Sequence, residues 1–117
     1  MPTKTQMAQA EKARKRIEVI RTEVLGIKLV CSGTLLTRMT RCGKLTCACR
    51  NDPASRHGPY YEWGRMREGK LTHRLMSAEQ ASPLREAIAN FRRLKKLLQD
   101  WEVQTVRLID AECPRKP

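Results

Sequence analysis

The stretch Cys42-Gly43-Lys44-Leu45-Thr46-Cys47-Ala48-Cys49, followed by His57-Gly58-Pro59, decides how this chain can fold. Its cysteines and histidine follow the pattern C-x4-C-x-C-x7-H. Thiolate and neutral imidazole are the ligand types that a tetrahedral zinc ion prefers, and three cysteines with one histidine are a usual structural set. We therefore predict that one structural zinc ion is held by Cys42, Cys47, Cys49 and His57.

Other interpretations of the same residues stay open at the level of sequence. Cys49 could be a buried thiol, because free cysteine packs like a small apolar side chain. Two of the three cysteines could form a disulfide, and the C-x-C spacing differs from the C-x2-C of many zinc knuckles. Asp52 is a substitute ligand if His57 points away from the cluster. Gly43 is expected to allow a tight backbone turn around the metal.

Length and composition favour a small core that needs an additional staple. The chain has 117 residues but only one Phe, two Trp and two Tyr. A core with so few large side chains usually relies on a metal, a disulfide or a partner chain. We see no signal peptide and no apolar run long enough to cross a membrane, so we expect a reducing cytoplasm, where such clusters bind metal. Cys31 and Cys113 lie outside the cluster, and we interpret them as structural or incidental thiols.

The N-terminal part, residues 1–27, is predicted to form an amphipathic helix from about Gln6, after a loose start. Gly26 is expected to end it in the left-handed conformation. Apolar residues recur at steps of three and four, which places them on one face: Ala10, Ala13, Ile17, Ile20, Val24 and Ile27.

Residues 28–76 read as a zinc-knuckle β module. We predict a short strand over 28–31 and a second strand over 34–41, where residues alternate with period two. The Cys/His loop follows, and then a hairpin with strands over 60–67 and 70–76 around the turn Glu68-Gly69. His73 is expected to be hydrogen-bonded within the sheet rather than to bind metal. Tyr60, Tyr61 and Trp63 are expected to serve the core rather than to stack on bases.

Residues 77–112 are predicted to form a long heptad helix, followed by a tail over 113–117. Ser77 and Gln80 have the spacing of a capping box, and Ser82-Pro83 suggests a kink or a restart after one turn. Steps of four and three then continue through a seam formed by Ala87, Phe91, Leu94, Leu98, Trp101, Thr105 and Leu108. The predicted fold class is therefore α+β: an N-terminal helix, a small antiparallel sheet with a Cys3His zinc knuckle, and a long C-terminal helix.

The seam of the C-terminal helix has two interpretations. It packs onto the sheet and the first helix of the same chain, or it pairs with a protein partner or a second copy, since the helix is longer than a small core covers. The residues predicted for such an interface are Phe91, Leu94, Leu98, Trp101 and Leu108.

The charge of the chain points to a polyanionic partner. The formal net charge is +12, from 24 Lys and Arg against 12 Asp and Glu. Phosphate contacts dominate the affinity of such proteins for nucleic acid, whereas a solvated basic face, an acidic protein or an anionic membrane are the alternatives. We favour nucleic acid, and DNA over RNA. The candidate contacts are Lys12, Lys15, Arg16, Arg38, Arg41, Lys44, Arg50, Arg65, Arg92, Arg93, Lys95 and Lys96.

The run R-C-G-K-x-x-C-x-C from Arg41 to Cys49, with His57-Gly58-Pro59-Tyr60-Tyr61, resembles a bacterial and archaeal family of small Cys/His proteins that is itself a domain of unknown function. Residues 89–94, Ala-Asn-Phe-Arg-Arg-Leu, are similar to the A-N-Y-R-R-L stretch of that family, with Phe91 replacing a tyrosine. The resemblance covers roughly residues 29–98. It implies a zinc-binding-like module followed by a hairpin and a helix, in proteins that accompany mobile elements and phages.

These observations favour a binding protein over an enzyme. We expect a zinc-stapled nucleic-acid-binding accessory protein of a recombinase, transposase or similar machine, located in the cytoplasm with the nucleoid and not at a membrane. An adaptor that docks through the heptad helix, or an RNA-binding component of a ribonucleoprotein, is the alternative. A catalytic zinc keeps an open ligand position, whereas four ligands are available here and neither H-E-x-x-H nor H-x-E…C-x-x-C occurs.

Overall fold

Over the residues that the structure describes, the fold consists of two α-helices and one three-stranded antiparallel sheet, which confirms the predicted α+β class. The computed structural model describes residues 2–40 and 42–113. Its elements are α1 (Lys4–Leu25), β1 (Thr34–Thr40), β2 (His57–Arg67), β3 (Lys70–Met76) and α2 (Ala78–Glu112), with short 3₁₀ helices at Ala48–Arg50 and Pro53–Ser55. The sheet order is β1-β2-β3.

Helix α1 begins earlier than the apolar pattern suggests. Thr3 and Gln6 form a capping box, in which the Gln6 N–H donates to Thr3 Oγ1 at 3.1 Å and the Thr3 N–H donates to Gln6 Oε1 at 2.7 Å. These bonds satisfy amide groups that a helix start otherwise leaves unpaired. The predicted loose start through Thr5 is therefore wrong. Gly26 caps the other end as predicted, but at φ −77° it is right-handed rather than left-handed.

The sheet differs from prediction at two places. The strand predicted over 28–31 is wrong: these residues form no strand, and the Cys31 N–H donates instead to the carbonyl of Ala87 in α2 at 3.1 Å. Strand β2 begins at His57, three residues before the predicted start, because His57 pairs with Thr40 of β1. The third strand has its predicted bounds.

The hairpin between β2 and β3 closes through a two-residue turn. Glu68 has φ 49° and Gly69 has φ 79°. Two positive φ angles are the signature of the type I′ turn, whose twist matches that of the flanking strands. The turn fixes the register, so that Arg67 pairs with Lys70 and Trp63 with Arg74.

Residues 29–89 form one compact unit, which contains the sheet, the Cys/His loop and the beginning of α2. Its core consists of buried Trp63, Leu84 and Ile88, with Cys31, Leu35 and Met76 packed against them. The indole N–H of Trp63 donates to the carbonyl of Ser32 at 2.9 Å. Gly33 permits this close approach: it has φ 110°, and a Cβ there would lie only 2.6 Å from the indole nitrogen of Trp63.

Helix α2 starts at the predicted capping box, where the Gln80 N–H donates to Ser77 Oγ at 3.1 Å and the Ser77 N–H to Gln80 Oε1 at 3.0 Å. Of the kink or restart predicted at Ser82-Pro83, the restart is wrong, since the helix continues unbroken with Pro83 inside it. Proline costs the helix one backbone hydrogen bond near its start. The long run of favourable residues that follows outweighs this loss.

The second compact unit consists of α1 and the part of α2 beyond Ala89. The two helices run antiparallel, and three ion pairs link them: Arg14–Glu112, Arg16–Asp100 and Arg93–Glu23. Ile20 on α1 and Leu97 on α2 are buried. The predicted seam passed through Leu98, which is instead 50% exposed. A helix with apolar residues on two sides can bury either side. The periodicity of the sequence therefore did not show that Leu97, rather than Leu98, is the buried residue.

Candidate metal centre

Four side chains of the Cys/His loop converge on one point, as the spacing predicted. The ligand atoms of Cys42, Cys47, Cys49 and His57 all lie within 4.8 Å of one another. The sulfur atoms of Cys42 and Cys49 are 3.5 Å apart, and Cys47 Sγ lies 3.2 Å from His57 Nε2. A tetrahedral ion with metal–sulfur bonds of about 2.3 Å separates its sulfur ligands by roughly 3.8 Å. The cluster could therefore hold one metal ion without large rearrangement.

Secondary structure brings these ligands together from both ends of the loop. Cys42 follows β1 and His57 opens β2, and the pairing of Thr40 with His57 holds these ends side by side. Cys49 lies in the 3₁₀ helix Ala48–Arg50 and is buried, with 1% of its surface exposed. The Cys42 N–H donates to Cys49 Sγ at 3.3 Å. Strand pairing and the buried sulfur of Cys49 therefore bring the four ligands close together.

The glycine that the loop geometry requires is Gly58, not Gly43. Gly58 has φ 136°, and a Cβ there would lie 2.7 Å from the carbonyl oxygen of Arg38 and 2.9 Å from Met39 Sδ. A Cβ on Gly43 would meet no atom within 4 Å, and Gly43 is not among the residues with positive φ. Glycine at position 58 lets β2 approach β1 beside His57. Gly43 was predicted to allow the tight turn because it lies between two of the cysteines, and this prediction is wrong.

The alternative ligand arrangements find no support among the described residues. The Asp52 carboxylate accepts from the Ala54 N–H and from Ser55 Oγ, both at 3.0 Å, and so caps the 3₁₀ helix Pro53–Ser55. It is not part of the cluster. All five cysteines are free thiols, with Cys31 half-buried and Cys113 exposed.

The two thiols of the C-x-C pair have different acidities. The backbone N–H of Cys49 and then the hydrogen bond with His57 lower the pKa of Cys47 to about 6. For Cys49, the backbone N–H of Cys42 acts to lower the pKa, but burial and the neighbouring thiols of Cys47 and Cys42 outweigh it, so that the pKa of Cys49 is raised. The crowding that raises it is what a bound cation would relieve, because a coordinating thiol is deprotonated.

Several of the predicted phosphate contacts are engaged within the protein. Lys15 pairs with Glu11 at 3.3 Å, Arg16 with Asp100 at 2.8 Å, Arg93 with Glu23 at 3.5 Å and Arg38 with Glu62 at 3.7 Å. Lys95 lies over the ring of Phe91 at 5.8 Å and Arg65 over that of Trp63 at 4.0 Å. The other described candidates are exposed and take part in none of the described ion pairs: Lys12, Lys44, Arg50, Arg92 and Lys96. Arg41 lies outside the described residues.

Among the cations of the hairpin, only Arg65 was predicted to contact phosphate, whereas Arg67, Lys70 and Arg74 were not. The strand register places these three on the same face as Arg65. The alternation within each strand and the glycine-containing turn could have shown this. His73 is hydrogen-bonded as predicted, with its Nδ1 2.8 Å from Glu62 Oε1.

The predicted partner interface stays a prediction. Leu98 is half-exposed, whereas the remaining members are partly buried within the chain: Phe91, Leu94, Trp101 and Leu108. Over the described residues, neither helix is long and apolar enough to cross a membrane.

Comparison with known proteins identifies a family but no characterised relative. No curated protein and no solved structure matches the chain. Residues 7–86 match the family described as Domain of unknown function (DUF6788). The match runs from α1 through all four clustered ligands and the sheet to the first turns of α2, while the stretch 89–94 lies beyond it. Because this match covers more than half of the chain, the protein belongs to the DUF6788 family.

Proposed function

We propose that this protein is a small, zinc-stapled, basic nucleic-acid-binding protein that favours duplex DNA over RNA. It would act as an accessory protein in a nucleoprotein machine of a mobile element or phage, such as a recombinase or transposase. Its role would be binding rather than catalysis, because the four clustered ligands form a closed set, as in structural sites.

One observation carries the nucleic-acid proposal: the cations of the β module are largely free of acidic partners. Among the described residues of 29–89, only Arg38 has an ion pair between a Lys or Arg and a carboxylate. Among the described residues of the helical unit, five such cations are paired: Arg14, Lys15, Arg16, Arg21 and Arg93. Cations that no internal carboxylate neutralises remain available for phosphates. This contrast favours the module, rather than the basic face of α1, as the binding part.

The ligand set supports zinc as the metal. Three thiolates and one imidazole are soft and borderline ligands, which suit zinc better than calcium or magnesium. Bound zinc would supply folding energy to a module whose fully buried core is small. We expect the purified protein to contain about one zinc ion per chain, as measured by elemental analysis alongside iron, cobalt and nickel.

Non-specific phosphate contact is the mechanism that these features support. Lysine and arginine side chains would neutralise phosphates and release counterions, while metal and sheet hold the binding surface in shape. The test is fluorescence anisotropy with labelled duplex DNA and single-stranded RNA across a salt series. We expect tighter binding to the duplex, with affinity falling steeply as salt rises. Weak binding to both would contradict the proposal, and tighter RNA binding would redirect it to a ribonucleoprotein.

The association with mobile elements rests on the family resemblance alone. We expect a protein with this role to be located on the nucleoid. A fluorescently tagged protein should co-localise with stained DNA, and uniform cytoplasmic fluorescence would count against this part of the proposal.

A second candidate, an adaptor that docks through α2, is favoured by a specific surface. Leu98, Val106 and Ile109 are each about half-exposed, at 50%, 52% and 54%. Leu98 and Ile109 lie three turns apart on one side of the helix. We expect the double variant Leu98→Asp with Ile109→Asp to lose its association with a protein partner or a second copy, as measured by sedimentation. Its affinity for DNA should stay unchanged. Val19→Asp, at a 46% exposed position on α1, is the matched control.

A further inference from the structure

We propose that the end of the β2–β3 hairpin is the surface that contacts the phosphate backbone of duplex DNA. This inference rests on the proposed function and names its binding site. Strand β1 pairs with β2 only as far as Gly64, opposite Thr34. From Arg65 to Thr72, the described strands pair only with each other. The hairpin therefore ends as a two-stranded ribbon.

The ribbon gathers four cations on one face. Arg65 pairs with Thr72, Arg67 with Lys70, and Trp63 with Arg74. Directly paired residues point to the same side of a sheet, as do alternate residues along a strand. The face beside Trp63 thus carries Arg65, Arg67, Lys70 and Arg74. None of the four has a carboxylate within 4.0 Å among the described residues, and the last three are exposed.

Two further contacts make this array suited to DNA. The Arg65 guanidinium lies 4.0 Å from the ring centroid of buried Trp63, which limits its freedom, and a restrained cation loses less entropy when it binds. The Thr72 hydroxyl donates to the carbonyl of Arg65 at 3.2 Å. The hydroxyl hydrogen of Thr72 is thus used within the ribbon, and the cationic side chains are the groups that this face offers to a phosphate backbone.

A double strand fits this face better than a single strand. Single-stranded nucleic acid is typically held by exposed aromatic rings on which the bases stack. On the cationic face, Trp63 is 6% exposed and covered by Arg65, and Tyr61, which pairs with Met76, is half-buried. The exposed Tyr60 belongs to the opposite face according to the register. A cluster of cations without an exposed aromatic ring beside it suits the phosphates of a double strand. The contact would carry no sequence information, because phosphates are the same at every base pair.

The test compares two triple variants of the full-length, metal-loaded protein. The ribbon variant is Arg67→Gln with Lys70→Gln and Arg74→Gln, and it leaves Arg65 on its tryptophan. The control is Lys12→Gln with Arg92→Gln and Lys96→Gln, which removes the same charge from exposed helix positions. Both must keep the circular dichroism and metal content of the wild type. Affinity for a labelled 24-base-pair duplex, of about two helical turns, is then measured across a salt series.

Removing one cation that binds a phosphate should lower the slope of log affinity against log salt by about 0.9, or roughly 8-fold in affinity at 0.1 M salt. We expect the ribbon variant to reduce this slope by about 2.7 and the control variant by less than about 1. Equal reductions, or a larger reduction in the control, would overturn the ribbon assignment and leave the proposed function standing. Tighter wild-type binding to double-stranded RNA than to DNA would overturn the choice of DNA. Absence of any wild-type binding would refute the proposed function itself.

Discussion

Cys47 and Cys49 lie two residues apart, yet the pKa values of their thiols are shifted in opposite directions. Hydrogen bonds from the Cys49 backbone and from His57 lower the pKa of Cys47 to about 6, whereas burial and neighbouring thiols raise the pKa of Cys49. A crowded set of sulfurs costs free energy when their negative charges are not compensated. One divalent cation would compensate them, which would account for the collection of four ligands in a loop that contributes little else to the core.

Replacing one ligand tests this interpretation. We expect Cys47→Ser to lower the metal content from about one ion per chain to near zero and to unfold the β module, because metal binding and folding are coupled. The measurement is elemental analysis together with thermal melting. Cys113→Ser, which changes an exposed thiol outside the cluster, should leave both unchanged. Normal metal content and melting in the Cys47 variant would refute the zinc staple.

The two glycines near the cluster offer a matched pair. Gly58→Ala should destabilise the protein by about 2 kcal/mol or more, because a residue with a Cβ is strained at this φ and the new methyl group meets backbone. Gly43→Ala should stay within about 0.5 kcal/mol of the wild type, since its Cβ enters open space. Denaturant unfolding of the metal-loaded proteins measures both. Similar losses of stability for the two variants would contradict the role assigned to Gly58.

Sequence patterns predicted the elements of the fold that local chemistry determines. The period-two alternation, the turn Glu68-Gly69 and the capping box at Ser77 placed the hairpin turn, β3 and the start of α2 correctly, whereas β2 begins three residues before its predicted start. The strand predicted over 28–31 failed because tertiary context decided it: the Cys31 N–H bonds to a helix carbonyl rather than to a strand. The Cys/His cluster could be predicted from the sequence, because the types and the spacing of its four ligands strongly restrict how they can be arranged.

Sequence patterns could not predict which charged residues of the two helices pair with each other. The sequence shows that α1 and α2 both carry mixed charges, but not which of them meet. Arg16 appeared as a phosphate contact, yet its Nε donates to Asp100 Oδ2 at 2.8 Å. Such partners lie 84 positions apart in the chain, beyond the reach of any local pattern. By contrast, the alternation within β2 and β3 and the turn Glu68-Gly69 could have placed the hairpin cations on one face, as the register does.

The Arg16–Asp100 pair predicts a specific pH dependence. Hydrogen bonds from Gln104 and from Arg16 lower the pKa of Asp100 from 3.8. Because the folded pKa lies below the unfolded one, the stabilisation is fully present above the unfolded value and is lost as pH falls through the folded value. Asp100→Asn should therefore lower the urea midpoint of helix unfolding at pH 6, and this difference should narrow as pH falls below 3.8.

Circular dichroism at 222 nm across a pH series measures this effect, which added salt should weaken because the pair is partly exposed. Glu102→Gln is the control, since this exposed carboxylate has no described partner. A difference between Asp100→Asn and the wild type that stays constant down to pH 2 would show that the carboxylate contributes through packing rather than charge.

The two compact units of the protein are stabilised by different means. Residues 29–89 combine the Cys/His cluster with a small core around Trp63. The helical unit contains none of the clustered ligands, and it relies on the packing of Ile20 and Leu97 and on three ion pairs between α1 and α2. Removing the metal should therefore act on the first unit directly and on the second much less.

Tryptophan fluorescence can separate these responses, because each unit contains one of the two tryptophans. In a Trp101→Phe variant, the remaining emission comes from buried Trp63. We expect a strong chelator to shift this emission to longer wavelength as the sheet opens to water, while most of the helical signal at 222 nm persists. Adding back one equivalent of zinc should restore the original spectrum. Unchanged Trp63 emission after complete metal removal would mean that the module folds without its metal, whereas simultaneous loss of the helical signal would show that both units depend on it.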